Sequence, residues 1–155
     1  MKSAPEIEIF PHSEQFSDEE LARLTELASR ALPIILSQPG EVEEFIFLPS
    51  LEMVEISLVT DVAIAEVHGQ FMDDPTATDV ITFQHGEILI STDTALRLAQ
   101  ELGQPVLREA ALYVIHGLLH LCGYDDLSEP ARTVMHRRQE NVLEAVWPLP
   151  GEATS

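Results

Sequence analysis

Two hydrophobic periods alternate along the chain and divide it into strands and helices. Ile7 and Ile9 alternate with Glu6 and Glu8, the period of a half-buried strand, and predict a short edge strand. Ser17 followed by Glu20 has the spacing of a capping box, so a helix opens there and runs toward Leu32. Residues 43–48 and 55–60 carry β-branched and aromatic side chains between turn signals and predict two strands. Asp61 is placed to cap a helix through Phe71 with Val62, Ala65 and Phe71 on its apolar side. Residues 80–83 and 87–91 predict two more strands, joined by the tight connection Gln84, His85, Gly86. Thr92 or Asp93 starts the next helix, which Gly103 and Pro105 terminate.

From Val106 to Cys122 nearly every position is apolar except Arg108, Glu109, His116 and His120, and a helix that is apolar all round lies inside a domain. Ser128, Glu129 and Pro130 restart a helix that runs to Val146 and stops at Trp147 and Pro148. Strands and helices mix without strict alternation. The pattern therefore predicts an α/β (α+β) fold, one small mixed sheet of four or five strands packed by helices, with a central buried helix against it. A chain of 155 residues supports one core, expected over residues 1–147, with residues 148–155 as a flexible tail.

Composition places the chain among folded soluble domains, with 45% hydrophobic and 23% charged residues. No apolar run approaches the roughly 18 to 20 residues of a membrane helix, and the N-terminus lacks the apolar core of a signal peptide. The lone Cys122 cannot form an internal disulfide, which suits a reducing compartment, so a cytoplasmic location is expected. Charge changes the picture more. Against 27 acidic residues stand 8 basic ones, a net charge of −19, and no Lys or Arg occurs between Arg30 and Arg97. Such a surface repels polyanions unless metal ions or a basic partner intervene. A solvated acidic surface explains the excess, as does adaptation to high salt.

The chemistry concentrates between His116 and Asp126. Residues four apart on a helix share a face, so His116 and His120 can converge on one ion. Gly117 between them leaves room, and Gly123 can take the left-handed conformation that ends a helix and turns the chain back. Asp126 then offers a carboxylate as third ligand, with Asp125 or His136 as alternatives. Three protein ligands with an open position make a catalytic Zn²⁺ site, although Ni²⁺, Fe²⁺ and Co²⁺ suit the same donors. Asp125 could instead orient a ligand His. The bland alternative is a pair of core histidines, but burying two without a shared purpose is costly. His136, Arg137 and Arg138 otherwise read as a solvent-facing stripe, and Cys122 as a small buried residue.

These residues, together with the segments from Thr78 to Phe83 and from Gly86 to Ser91, resemble the YbeY family of bacterial endoribonucleases, which are rRNA maturation factors. The resemblance spans about residues 40–145. The family pattern H-G-x-L-H-L-x-G-Y-D-H is matched except at its last position, which is Asp126 here. The resemblance implies an α/β fold with a central helix carrying two zinc ligands. It also implies metal-dependent cleavage of single-stranded RNA, with a single-stranded rRNA precursor or the small ribosomal subunit as partner. Asp126 in place of His keeps a ligand but adds negative charge, which makes a bound water less acidic. Where the family places an Arg after an aromatic residue, this chain has Met72 after Phe71, followed by Asp73 and Asp74. Met cannot hold phosphate as Arg does, so metal binding carries over more firmly than RNA cleavage.

No general base is evident, although Glu87 and Asp79 are candidates to face the site, and RNA would have to be held by Arg97, Arg108, Arg132, Arg137 and Arg138. Two other functions compete. A metalloprotease has the same ligand spacing but needs a Glu where Gly117 stands. An assembly factor with little or no catalysis, bound to a basic ribosomal protein, fits the charge and Met72.

Overall fold

The computed structural model describes residues 4–72 and 78–148. Residues 149–155 of the expected tail, Asp73, Asp74 and the side chain of Met72 lie outside the described residues. Strand β1 (Glu6–Pro11) pairs in parallel with β2 (Met53–Val59), Ile7 opposite Val54 and Ile9 opposite Ile56. Strand β2 pairs in parallel with β4 (Glu87–Ser91), and β3 (Val80–Phe83) pairs antiparallel with β4. The sheet order is β1-β2-β4-β3, so β1 lies at one edge, as its alternation predicts, and β3 at the other.

Helices cover both faces. Helix α1 (Asp18–Leu36) opens on the expected capping box: Ser17 Oγ accepts from the Glu20 N–H at 3.1 Å and Glu20 Oε1 from the Ser17 N–H at 3.0 Å. It outruns the expected end at Leu32 and passes through Pro33, because the turn beyond brings Ile35 into the core with no exposure. Helix α4 (Val106–Leu121) lies against α1, against α5 (Glu129–Val146) and against β3 and β4. Val54, Ile56, Leu58, Ile88 and Ile90 face this core, whereas Val59, Ile81 and Leu89 face a smaller cluster under α2 (Asp61–Met72). Strand β4 is thus buried on both faces and reads as a continuous apolar run.

Four local expectations fail for physical reasons. Residues 43–48 form no strand: Glu43–Phe45 and Leu48–Ser50 are 3-10 turns, and Ile46 makes one isolated bridge to Cys122. The Phe45 and Ile46 N–H groups bond locally to Val42 O and Glu43 O, and the Phe47 N–H to Leu121 O at the end of α4 at 2.8 Å, so turn and helix-end pairing override strand propensity. Thr60, not Asp61, caps α2, its Oγ1 accepting from the Ala63 N–H at 3.2 Å. The buried side of α2 is Ile64 with Ala63 and Val67, while Val62 and Phe71 are exposed. Ser91, the last residue of β4, caps α3 (Thr92–Leu102) through the Thr94 N–H at 3.1 Å, leaving neither Thr92 nor Asp93 as cap.

The Asp61 carboxylate instead ties three elements together. It accepts from Ser91 Oγ at 2.6 Å, Thr94 Oγ1 at 2.8 Å and Arg97 Nη1 at 3.1 Å.

Candidate metal centre

Helix α4 carries Glu109, Tyr113, His116 and His120 at the three- and four-residue steps of a single face. The lower pair is buried. Burial raises the Glu109 carboxyl above its ordinary range, and burial with the neighbouring Glu109 charge raises the Tyr113 phenol. The Tyr113 hydroxyl has no partner in hydrogen-bonding geometry among the described residues. The upper pair looks into a cavity of about 540 Å³ between α4, β3 and the turns of residues 43–50.

Each imidazole is oriented by its Nδ1. That of His116 donates to Gln139 Oε1 at 2.8 Å, and that of His120 donates to the Tyr124 carbonyl at 3.0 Å. Both Nε2 atoms are then left with lone pairs toward the cavity, the rings meeting edge to face with centroids 4.7 Å apart. Burial first, and then the adjacent His116, holds His120 below its usual pKa, which keeps it neutral and ready to coordinate. Helix α4 ends at Cys122, and Gly123, at φ 97°, turns the chain back over it. Asp126 is delivered opposite the rings, one carboxylate oxygen 4.0 Å from His116 Nε2 and the other 4.0 Å from His120 Nε2.

All three ligand atoms lie within 4.8 Å of one another. With metal–ligand bonds of about 2 Å, one ion spans ligands up to about 4 Å apart, and both Asp126–imidazole separations stand at that limit. Two imidazole nitrogens and a carboxylate oxygen are donors for a divalent transition metal, and the mouth of the cavity leaves further positions open.

The other candidates separate cleanly. His136 is exposed on α5 and outside the cluster. Asp125 neither joins the triad nor orients a histidine, because its Oδ1 accepts from the Leu127 N–H at 2.9 Å and shapes the turn that aims Asp126. Asp79 lines the cavity, with its Oδ1 bonded to the Val80 N–H at 2.8 Å, whereas Glu87 lies outside it, 3.9 Å from His85. None of Arg97, Arg108, Arg132, Arg137 and Arg138 lines the cavity, and Arg138 is not part of a solvent-facing stripe, since it donates to Ile34 O. Cys122 is fully buried, with its thiol pushed up to about 11 by burial.

Gly117 has a role other than clearing the site. A Cβ there would lie 2.8 Å from Ile88 Cδ1 and 2.9 Å from Ile88 Cγ2, so the glycine lets α4 approach β4. No carboxylate stands beside the first His, which removes the general base of a zinc protease. Gln139 was not legible in advance. It lies 23 residues from His116 and is a polar residue buried on an otherwise ordinary amphipathic helix, which is the only signal it gives.

Fold and site define a class, a four-stranded α+β protein whose buried central helix presents a His-x3-His-x5-Asp constellation. Residues 12–146 match the family model described as Endoribonuclease YbeY, and the chain belongs to the YbeY family. It is 37% identical over 138 residues to the Endoribonuclease YbeY of Pelotomaculum thermopropionicum, covering 77% of this chain and 84% of that one. With the Endoribonuclease YbeY of Desulforamulus reducens it shares 32% identity over 147 residues, 84% of this chain and 90% of the other. The solution structure of TM1509 from Thermotoga maritima superposes with a TM-score of 0.63 at 25% identity, covering 95% and 99% of the two chains.

Proposed function

We propose that this chain is a zinc-dependent endoribonuclease that cuts single-stranded RNA in rRNA maturation, with Zn²⁺ held by His116, His120 and Asp126. The observation that carries the reading is the convergence of those three ligand atoms within 4.8 Å at the base of an open cavity. Membership in a family of endoribonucleases supports the reaction class. When bound, the ion supplies Lewis acidity toward a phosphate oxygen or a water.

The chain's own residues do the rest. Gln139 and the Tyr124 carbonyl fix the imidazole tautomers, and Asp126 closes the ligand set from the turn. Asp79 and Asp125 are the further carboxylates among the described residues of the cavity wall, each with its Oδ1 held by a backbone N–H, and they are the candidates to take a proton from the nucleophile. A cytoplasmic site of action fits this reading, and no helix among the described residues is long and apolar enough to cross a membrane.

Metal content and cleavage of a labelled single-stranded RNA by protein as purified, after chelation and after zinc is restored, test the assignment. Chelation and His120→Ala should each abolish cleavage. Unchanged cleavage in either case rejects it.

Two observations favour a second reading. None of the described residues lining the cavity is Lys or Arg, and the net charge is −19. A metal-bound assembly factor that docks a basic ribosomal protein meets both facts without catalysis. Co-sedimentation with small ribosomal subunits, in protein that leaves RNA intact even as Met72→Arg, would select it.

A further inference from the structure

The cavity beside the candidate metal centre is acidic and aromatic, and this combination bears on how RNA is held. Asp79, Asp125 and Asp126 stand in its wall with no Lys or Arg among the described lining residues, so apart from a metal and the histidines the wall offers a phosphate no cation. Phe45 lines the same cavity and is 51% exposed, a large apolar surface that packing within the fold does not use.

Its placement follows from its neighbours. Ile46 is extended, at φ −92° and ψ 95°, and its Cγ1 lies only 2.8 Å from where a Cβ on Gly123 would be, so Ile46 faces the end of α4. Phe45 and Phe47, one residue to either side, both line the cavity. The segment is fixed by the Phe47 N–H on Leu121 O and the Gly40 N–H on Cys122 O, both at 2.8 Å, next to the turn that follows His120. An aromatic side chain thereby shares the cavity with the candidate ligands. Gln84 belongs to the same wall and offers a polar group to the edge of a planar ring.

We propose that Phe45 is a base-stacking residue: an unpaired nucleobase of the RNA lies against its ring beside His120, so that recognition rests on stacking in place of phosphate–arginine contacts. The inference rests on the endoribonuclease reading and deepens it. Stacking is indifferent to the negative field, needs an unpaired base, and therefore selects single strands over duplex.

Steady-state cleavage of a single-stranded RNA oligonucleotide by zinc-loaded protein, with an abasic residue introduced position by position near the cut, tests it. Phe45→Ala should raise KM about 10-fold with kcat nearly unchanged, and Phe45→Trp should keep the wild-type KM. At one position the abasic RNA should reproduce that loss in the wild type and add nothing to it in Phe45→Ala. A wild-type KM for Phe45→Ala, or losses that simply add at every position, overturns the proposal while leaving the nuclease intact. If the wild type cuts no RNA, the endoribonuclease reading fails on its own account. Quenching of a 2-aminopurine base in the same oligonucleotide then decides the stacking: quenching lost in Phe45→Ala upholds it, and no quenching overturns it. Phe45-dependent binding of a basic peptide with no effect on 2-aminopurine overturns it in favour of a protein partner.

Discussion

Nδ1 of His116 is hydrogen-bonded to Oε1 of Gln139 at 2.8 Å, which couples the central helix to α5 at the point where the first candidate ligand must be aimed. Gln139 is buried, so no water can replace its amide without rearrangement. Replacing it with Ala leaves the ring free to rotate and to take the tautomer whose Nε2 carries a proton. Zinc affinity, read by competition with a chromophoric chelator, should fall about 10- to 100-fold in Gln139→Ala. An unchanged affinity would mean that packing alone holds the ring.

The contact of Gly117 with Ile88 predicts a purely steric effect. Ala is the better helix former by about 1 kcal/mol, yet its methyl would sit below 3 Å from two atoms of a side chain with no exposure. Overpacking of a fixed core side chain costs more, so Gly117→Ala should lose about 1–3 kcal/mol in urea denaturation. A smaller cost of Gly117→Ala when it is measured in an Ile88→Ala background would locate the clash. If Gly117→Ala is as stable as the wild type, the helix shifts on the sheet at little cost.

The sequence made visible what local spacing controls. His116 and His120 share a face because they are four residues apart, and Gly123 announces the turn that returns Asp126, so the triad was readable within eleven residues. What it hid depends on partners distant in the chain. Residues 43–48 have strand-forming side chains, but the Phe47 N–H is claimed by the carbonyl of Leu121 some 75 residues on, and those of Phe45 and Ile46 close local turns. Asp61 has the chemistry of a cap and is drawn off by Ser91, Thr94 and Arg97. In each case a long-range hydrogen bond outweighed a local preference.

Asp126 distinguishes charge from coordination. Asp126→Asn keeps the shape but offers a weakly basic amide oxygen, whereas Asp126→His restores a nitrogen donor on the same turn. Zinc content after dialysis should fall well below one ion per chain in Asp126→Asn and stay near one in Asp126→His. Full occupancy in Asp126→Asn would show that two imidazoles suffice and that Asp126 is no ligand.

Asp61 gives the fold an acid-sensitive joint. The Ser91 hydrogen bond, followed by those of Thr94 and Arg97 and the Arg97 charge, holds its carboxyl below the ordinary value of 3.8, against the opposing effect of burial. A folded-state pKa below the unfolded one means that the unfolded chain binds the proton more readily near that pH. The contribution of Asp61 is therefore fully present above about pH 4 and is lost as pH falls through the lower folded value. Asp61→Asn should melt about 2–4 °C below the wild type at pH 7. The two melting temperatures should converge as the pH falls below about 4, because protonation then removes from the wild type what the substitution has already removed. Wild-type and Asp61→Asn curves that run parallel from pH 7 to pH 3 would show that the carboxylate charge contributes nothing to joining β4, α2 and α3.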